Sequence, residues 1–264
     1  MAATTLTYKR SVLAIDSRSR ENADLTTPSK YRINFPPIRN VKMIRLLSTE
    51  IPNSEYTIND HNHMLFLWDS VTNTEHDVTL SNGSYTATEI ANELNKQLNA
   101  ALGVPFGTIF QVTVMPMTSK LRIERVDKPK TFQLRFSGKT GTAAEPLGFD
   151  PKSDSVMVVD AFSGNQYTQS NSVVNLSGEN FVFLCIKGLP TVTTTERIND
   201  VFAKIIYNVG PANIAFDSFV SNAFIYPEPQ AQISQLEVSF VRSDGFLVDF
   251  NDSDHSFTLE IFTL

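Results

Sequence analysis

The sequence predicts an all-β protein, a sandwich or barrel that carries one helix. Three observations lead there. Short apolar or alternating runs recur along the 264 residues, and Gly, Pro, Asn, Asp and Ser fill nearly every gap between them. Phenylalanine is abundant, at 19 copies, and Phe with the β-branched residues favours a pleated, half-buried surface. One stretch alone has the period of a helix. At 41 % hydrophobic and 19 % charged residues, the chain holds enough apolar side chain for a packed core and is not disordered throughout.

The elements follow in order. Residues 31–53 (YRINFPPIRNVKMIRLLSTEIPN) interleave basic with apolar residues and are broken by Pro36, Pro37 and Pro52. MLFLW (64–68) is a continuous apolar run, while LRIERV (121–126) and FQLRF (132–136) alternate as half-buried strands do. FVFLCI (181–186), VFAKIIYNV (201–209) and NAFIY (222–226) read as buried strands, and LEVSF (236–240) and FTLEI (257–261) alternate again. The chain stays strand-like through FTLEIFTL, which predicts a last segment paired within a sheet. The helix spans about 86–102. Thr86 and Glu89 have the spacing of a capping box, Ile90, Leu94 and Leu98 share one face, and Gly103 with Pro105 ends it. Residues 138–178 are loop-rich and predict a long surface excursion.

Charge is uneven. Residues 1–50 hold nine Lys/Arg against four Asp/Glu, and residues 51–264 hold thirteen against twenty-four, for a net charge of −6. This reads either as solvated faces or as a basic N-terminal arm, residues 1–30, that meets an acidic partner. With an acidic bulk and no aromatic–basic module, no specific nucleic acid is expected. The single cysteine, Cys185, sits between Leu184 and Ile186 and predicts a buried thiol. No signal-peptide core and no apolar run long enough to span a membrane is present.

The chemistry-bearing patterns are thin. SGKTG (137–141) lacks the earlier glycine of a phosphate loop, since Gln133 stands there, and reads as a turn. His61 and His63, beside Asp60, could converge on a metal from one strand face, or belong to a polar loop. Asp249, Asn251, Ser253 and Glu260 fall at calcium-loop positions, but Asp254 replaces the required glycine; this is a cation loop or an acidic turn. No nucleophile–base motif appears.

A resemblance adds to this. Asp16-Ser17-Arg18, Tyr31-x-Ile33, the run Val41 to Leu47, and Glu50-Ile51-Pro52-Asn53-Ser54 resemble the N-terminal region of penton and minor capsid proteins of nucleocytoplasmic large double-stranded DNA viruses. Gly83-Ser84-Tyr85, Leu147-Gly148-Phe149 and DGFLVDFNDSDHSFTLEI (244–261) extend the similarity to the middle and the C-terminal part. The resemblance implies a structural protein with no catalytic role, no cofactor and no metal. It implies one elaborated jelly roll over 31–264 behind the arm 1–30, since two jelly rolls would strain this length. It further implies homopentamers at the five-fold vertices of the virion, with major and minor capsid proteins as partners. Assembly would take place in the host cytoplasm, near an internal membrane that the chain does not span. Arg18, Arg20, Arg32, Arg39 and Arg45 would then supply inter-subunit contacts, or else solvate strand faces. The alternatives are a minor capsid protein that cements capsomers from inside, a receptor- or glycan-binding module using loop 150–175, and a metal-dependent enzyme built on His61 and His63.

Overall fold

The computed structural model describes residues 8–22, 26–218 and 223–264. Residues 1–7 and 23–25 of the expected arm, and Asn222 of the expected NAFIY strand, lie outside them. In chain order the strands are β1 (Lys9–Asp16), β2 (Lys30–Pro52), β3 (Met64–Asp69) and β4 (Thr74–Thr79), then helix α1 (Ala87–Ala101). There follow β5 (Phe110–Val114), β6 (Leu121–Arg125), β7 (Phe132–Leu134), β8 (Val158–Val159) and β9 (Gln166–Gln169). The last five are β10 (Phe181–Ile186), β11 (Val201–Ile206), β12 (Ile214–Ser218), β13 (Phe224–Val241) and β14 (Ser256–Thr263). The chain divides into two compact units: Met1–Glu55 with Glu179–Leu264, and Tyr56–Gly178.

The first unit is one antiparallel sheet in the order β1-β14-β2-β13-β10-β11, with β12 also paired to β2. Its inward side chains, among them Ile15, Ile33, Ile44, Leu46, Leu184, Phe240, Phe257 and Leu259, form a buried apolar cluster. Each such side chain removed from water contributes about 1.5–3 kcal/mol. The proline-broken stretch 31–53 is therefore a single strand, of 23 residues. It survives its prolines because Pro36 and Pro37 are exposed and Pro52 ends the strand. Asn40 turns to φ 53°, and the pairing shifts register between Ile233 and Gln235, so the apolar pattern is re-aimed at the core past Val41. Residues 9–16, assigned to the arm on charge alone, are a strand: all eight pair with β14, Ile15 is buried, and Leu13 packs on the core. The last segment is paired as expected, β14 lying between β1 and β2.

The second unit holds two antiparallel sheets, β4-β3-β7 and β5-β6-β9-β8, and α1. One apolar cluster joins them, including Leu65, Leu67, Ile90, Leu94, Leu98, Phe110, Ile123, Phe132 and Phe149. The capping box of α1 is present in both directions, between Thr86 and Glu89. Arg125, fully buried, pairs with Asp69 and Asp127 and lies over the Phe110 ring. Burial alone would push the Asp69 carboxyl up, but Arg125 and backbone N–H donors outweigh it and hold it below the usual range. The excursion 138–178 is less loop-like than its composition: Ala143, Ala144, Leu147 and Phe149 enter the core, and β8 and β9 lie within it. The single domain expected over 31–264 thus contains residues 56–178 as a unit of their own.

Candidate functional site at the meeting of the two chain ends

Two of the sequence patterns, Asp16-Ser17-Arg18 and Asp254-His255-Ser256, come together in the first unit. The β1–β14 ladder places Asp16 opposite Ser256, so the chain segments on either side must pack on each other. Ser17 N–H donates to the His255 carbonyl (2.9 Å), and His255 N–H donates to Ser17 Oγ (2.9 Å). Ser17 Oγ–H donates to Asp254 Oδ1 (2.6 Å), to which Arg20 Nη1 also donates (2.7 Å). Arg18 folds back on Asp16, and its guanidinium holds that carboxyl below the usual range.

His255 lies beneath this junction, 4 % exposed, among the rings of Tyr31, Phe240, Phe250 and Phe257. Its Nε2–H donates to the Pro28 carbonyl (2.9 Å), which fixes the tautomer because a carbonyl only accepts. Nδ1 is buried with no partner among the described residues, so a second proton would find no acceptor there. Burial pushes the imidazole down to about 4, against the raising effects of Pro28, Asp254 and Asp16.

On the outward face of the sheet, the register aligns Asp16, Ser256, Glu50 and Phe216 in one row across β1, β14, β2 and β12. A cavity of about 270 Å³ opens beside this row, lined also by Arg18, Pro52 and Ile214. Phe216 is 63 % exposed and Ile214 49 %, so two large apolar side chains adjoin the row on the solvent side. Glu50 accepts a hydrogen bond from Ser256 Oγ (2.8 Å) and has no cationic partner among the described residues. Further along the same face Glu260 is buried between Arg10 and Arg45, and Arg45 also lies near the Phe262 ring.

The five arginines singled out from the sequence do not form one group. Arg20 and Arg45 are engaged within the chain, with Asp254 and Glu260. Arg18 and Arg32 pair with Asp16 and Glu237, yet their side chains are 74 % and 56 % exposed. Arg39 is exposed and has no ion pair among the described residues. Sequence reasoning missed Glu50, Phe216 and His255. Only the alternation in Ile214-Ala215-Phe216 hinted at an edge strand, and five residues are too few to weigh.

The other patterns do not assemble a site. Glu260, counted as a calcium ligand, is held by two arginines, and Asp249 instead accepts from Asn251 N–H (2.8 Å), an ordinary acidic turn. His63 faces Asn82 at 3.2 Å. Among the described residues, no group of three or more His, Cys, Asp or Glu could hold a metal ion, and no helix is long and apolar enough to cross a membrane. Cys185 is buried, which pushes its thiol up to about 12. Lys139 of SGKTG pairs with Glu75 and lies over the Phe66 ring.

Comparison with known proteins fits this architecture. Residues 6–203, about three quarters of the 264, match the model described as Family of unknown function (DUF5901). The chain belongs to that family. No curated protein matches it in sequence. Among solved structures, the mavirus penton protein is similar with a TM-score of 0.51 at 10 % identity, over 98 % of this chain and 100 % of that one. A chain of the Sputnik virophage structure has a TM-score of 0.43 at 10 % identity, over 96 % and 98 %. The likeness to the mavirus penton protein shows the fold. The all-β, jelly-roll class with one helix, expected from the sequence, is the class observed.

Proposed function

We propose that this protein is a structural component of an icosahedral viral capsid and that it forms homopentamers at the five-fold vertices. The observation that supports this most is the end-to-end likeness of fold to a penton protein, with nearly all of both chains covered. A protein of this kind works by contact rather than by chemistry. The outward sheet face supplies what contact needs: exposed Phe216 and Ile214 beside a carboxylate, next to the hydrogen-bonded junction of Ser17 with Asp254 and His255. In a ring each copy presents two different surfaces, one to each neighbour. Arg18, Arg32 and Arg39 have exposed guanidinium groups for such contacts, and major and minor capsid proteins would be the further partners. Virion location follows from this reading, with no catalytic role.

The deciding experiment is the absolute mass in solution, by light scattering after size exclusion. A mass five times 29.4 kDa is the expected result. A stable dimer or trimer would move the assignment to a minor capsid protein that cements capsomers.

A further inference from the structure

We infer that the ring closes through one specific contact: Arg39 of one copy inserts between Glu50 and Phe216 of the next. This rests on the homopentamer reading above and names its interface.

Two exposed groups of opposite charge stand unmatched on β2. Arg39 is exposed and Glu50 is exposed, and neither has an ion pair among the described residues. Both lie on β2, eleven residues apart. At about 3.3 Å per residue that is roughly 36 Å, so the two cannot meet within one chain. They can meet only between copies, and a head-to-tail contact needs two different patches on each subunit.

The two patches also differ in shape. Around Arg39 the sheet narrows to two strands, since residues 34–39 of β2 pair with β13 and with no other of the described strands. Pro36 and Pro37 line this ribbon, and a proline on an edge discourages further strand pairing, so the ribbon offers side chains rather than its backbone. Around Glu50 the surface is concave, a cavity of about 270 Å³. Phe216 stands directly opposite Glu50 in the ladder, and Pro52 with Ile214 forms the adjoining pair. A guanidinium entering there gains a carboxylate for paired hydrogen bonds and an aromatic face to stack on, a combination that lysine would not satisfy equally. The neighbouring carboxylates, Asp16 and Asp254, are already neutralised by Arg18 and Arg20, which leaves Glu50 as the one to be matched.

The test is a charge swap, read by light scattering over a range of protein concentrations. Arg39→Glu and Glu50→Arg should each raise the concentration at which the oligomer dissociates by roughly tenfold or more. The double variant Arg39→Glu/Glu50→Arg should restore it. Both positions are exposed, so the subunit melting temperature should stay close to that of the parent. An oligomer unchanged by either single swap would overturn this contact and leave the pentamer reading standing. Loss in both singles without restoration in the double would also overturn the direct pairing. A parent protein that is monomeric at every concentration would remove the pentamer reading and this contact with it.

Discussion

At the scale of single residues, His255 makes the clearest case of a group whose ionisation the fold opposes. Unfolded, an imidazole takes its proton near 6.5; in this aromatic setting it does so near 4. Between those values the unfolded chain holds the extra proton, so native stability falls as pH drops through that window. The whole span amounts to about 3 kcal/mol. Thermal melts between pH 7 and 4 should show this loss, and His255→Phe should flatten it; an equally steep profile in the variant would assign the acid sensitivity to other groups. Arg125 is the opposite kind of residue, a buried charge kept only by its partners. Arg125→Met should cost about 3–5 kcal/mol because it strands Asp69, whose side chain is 3 % exposed, without a cation. Urea unfolding would measure it, and a cost under about 1 kcal/mol would mean that water reaches the site.

At the scale of elements, what was legible followed local chemistry. The helix could be read because its capping box, its apolar stripe and its glycine end all lie within 18 residues, and the observed α1 is Ala87–Ala101. Thr86→Ala should remove that cap and lower stability by about 1 kcal/mol, measured by denaturant unfolding. Strands such as β6 and β14 were legible for the same reason, their alternation being local. β2 and β13 were not seen as continuous, because proline argues against a strand and only tertiary pairing shows where proline is tolerated. The meaning of Leu147-Gly148-Phe149 was equally hidden. Gly148 has φ 79°, and a Cβ there would lie 2.4 Å from the Ser172 carbonyl oxygen. Gly148→Ala should therefore disrupt the loop well beyond the usual glycine-to-alanine effect, visible as a lowered melting temperature and faster proteolysis of residues 138–178.

At the scale of the whole molecule, composition gave the all-β class, but charge misplaced the N-terminal boundary. Nine basic residues in the first 50 suggested an arm, while Leu13 and Ile15 belong to the sheet. Charge counts do not reveal which side of a strand a lysine or arginine occupies. The candidate site was illegible for a related reason: Glu50, Phe216 and Ser256 become neighbours only through strand order. Deleting residues 1–16 should accordingly destabilise the first unit itself and not merely its assembly, since β14 would lose all eight of its β1 partners. Hydrogen exchange should show β14 amides losing protection in that variant, and unchanged protection would restore the idea of a dispensable arm.

Strand order also sets a timetable. The strand that lies between β1 and β2 is the last of the described strands to be synthesised, whereas residues 56–178 form a unit of their own far earlier in the chain. During translation residues 56–178 can therefore finish folding first, while the sheet of the first unit waits for the ribosome to reach residue 263. A polypeptide cut short by a nonsense codon or a stalled ribosome would lack the strand that seats Glu50 beside Ser256. Incomplete chains would thus never close the first unit's sheet, and the surface around Glu50 would exist only in chains read to the end of β14.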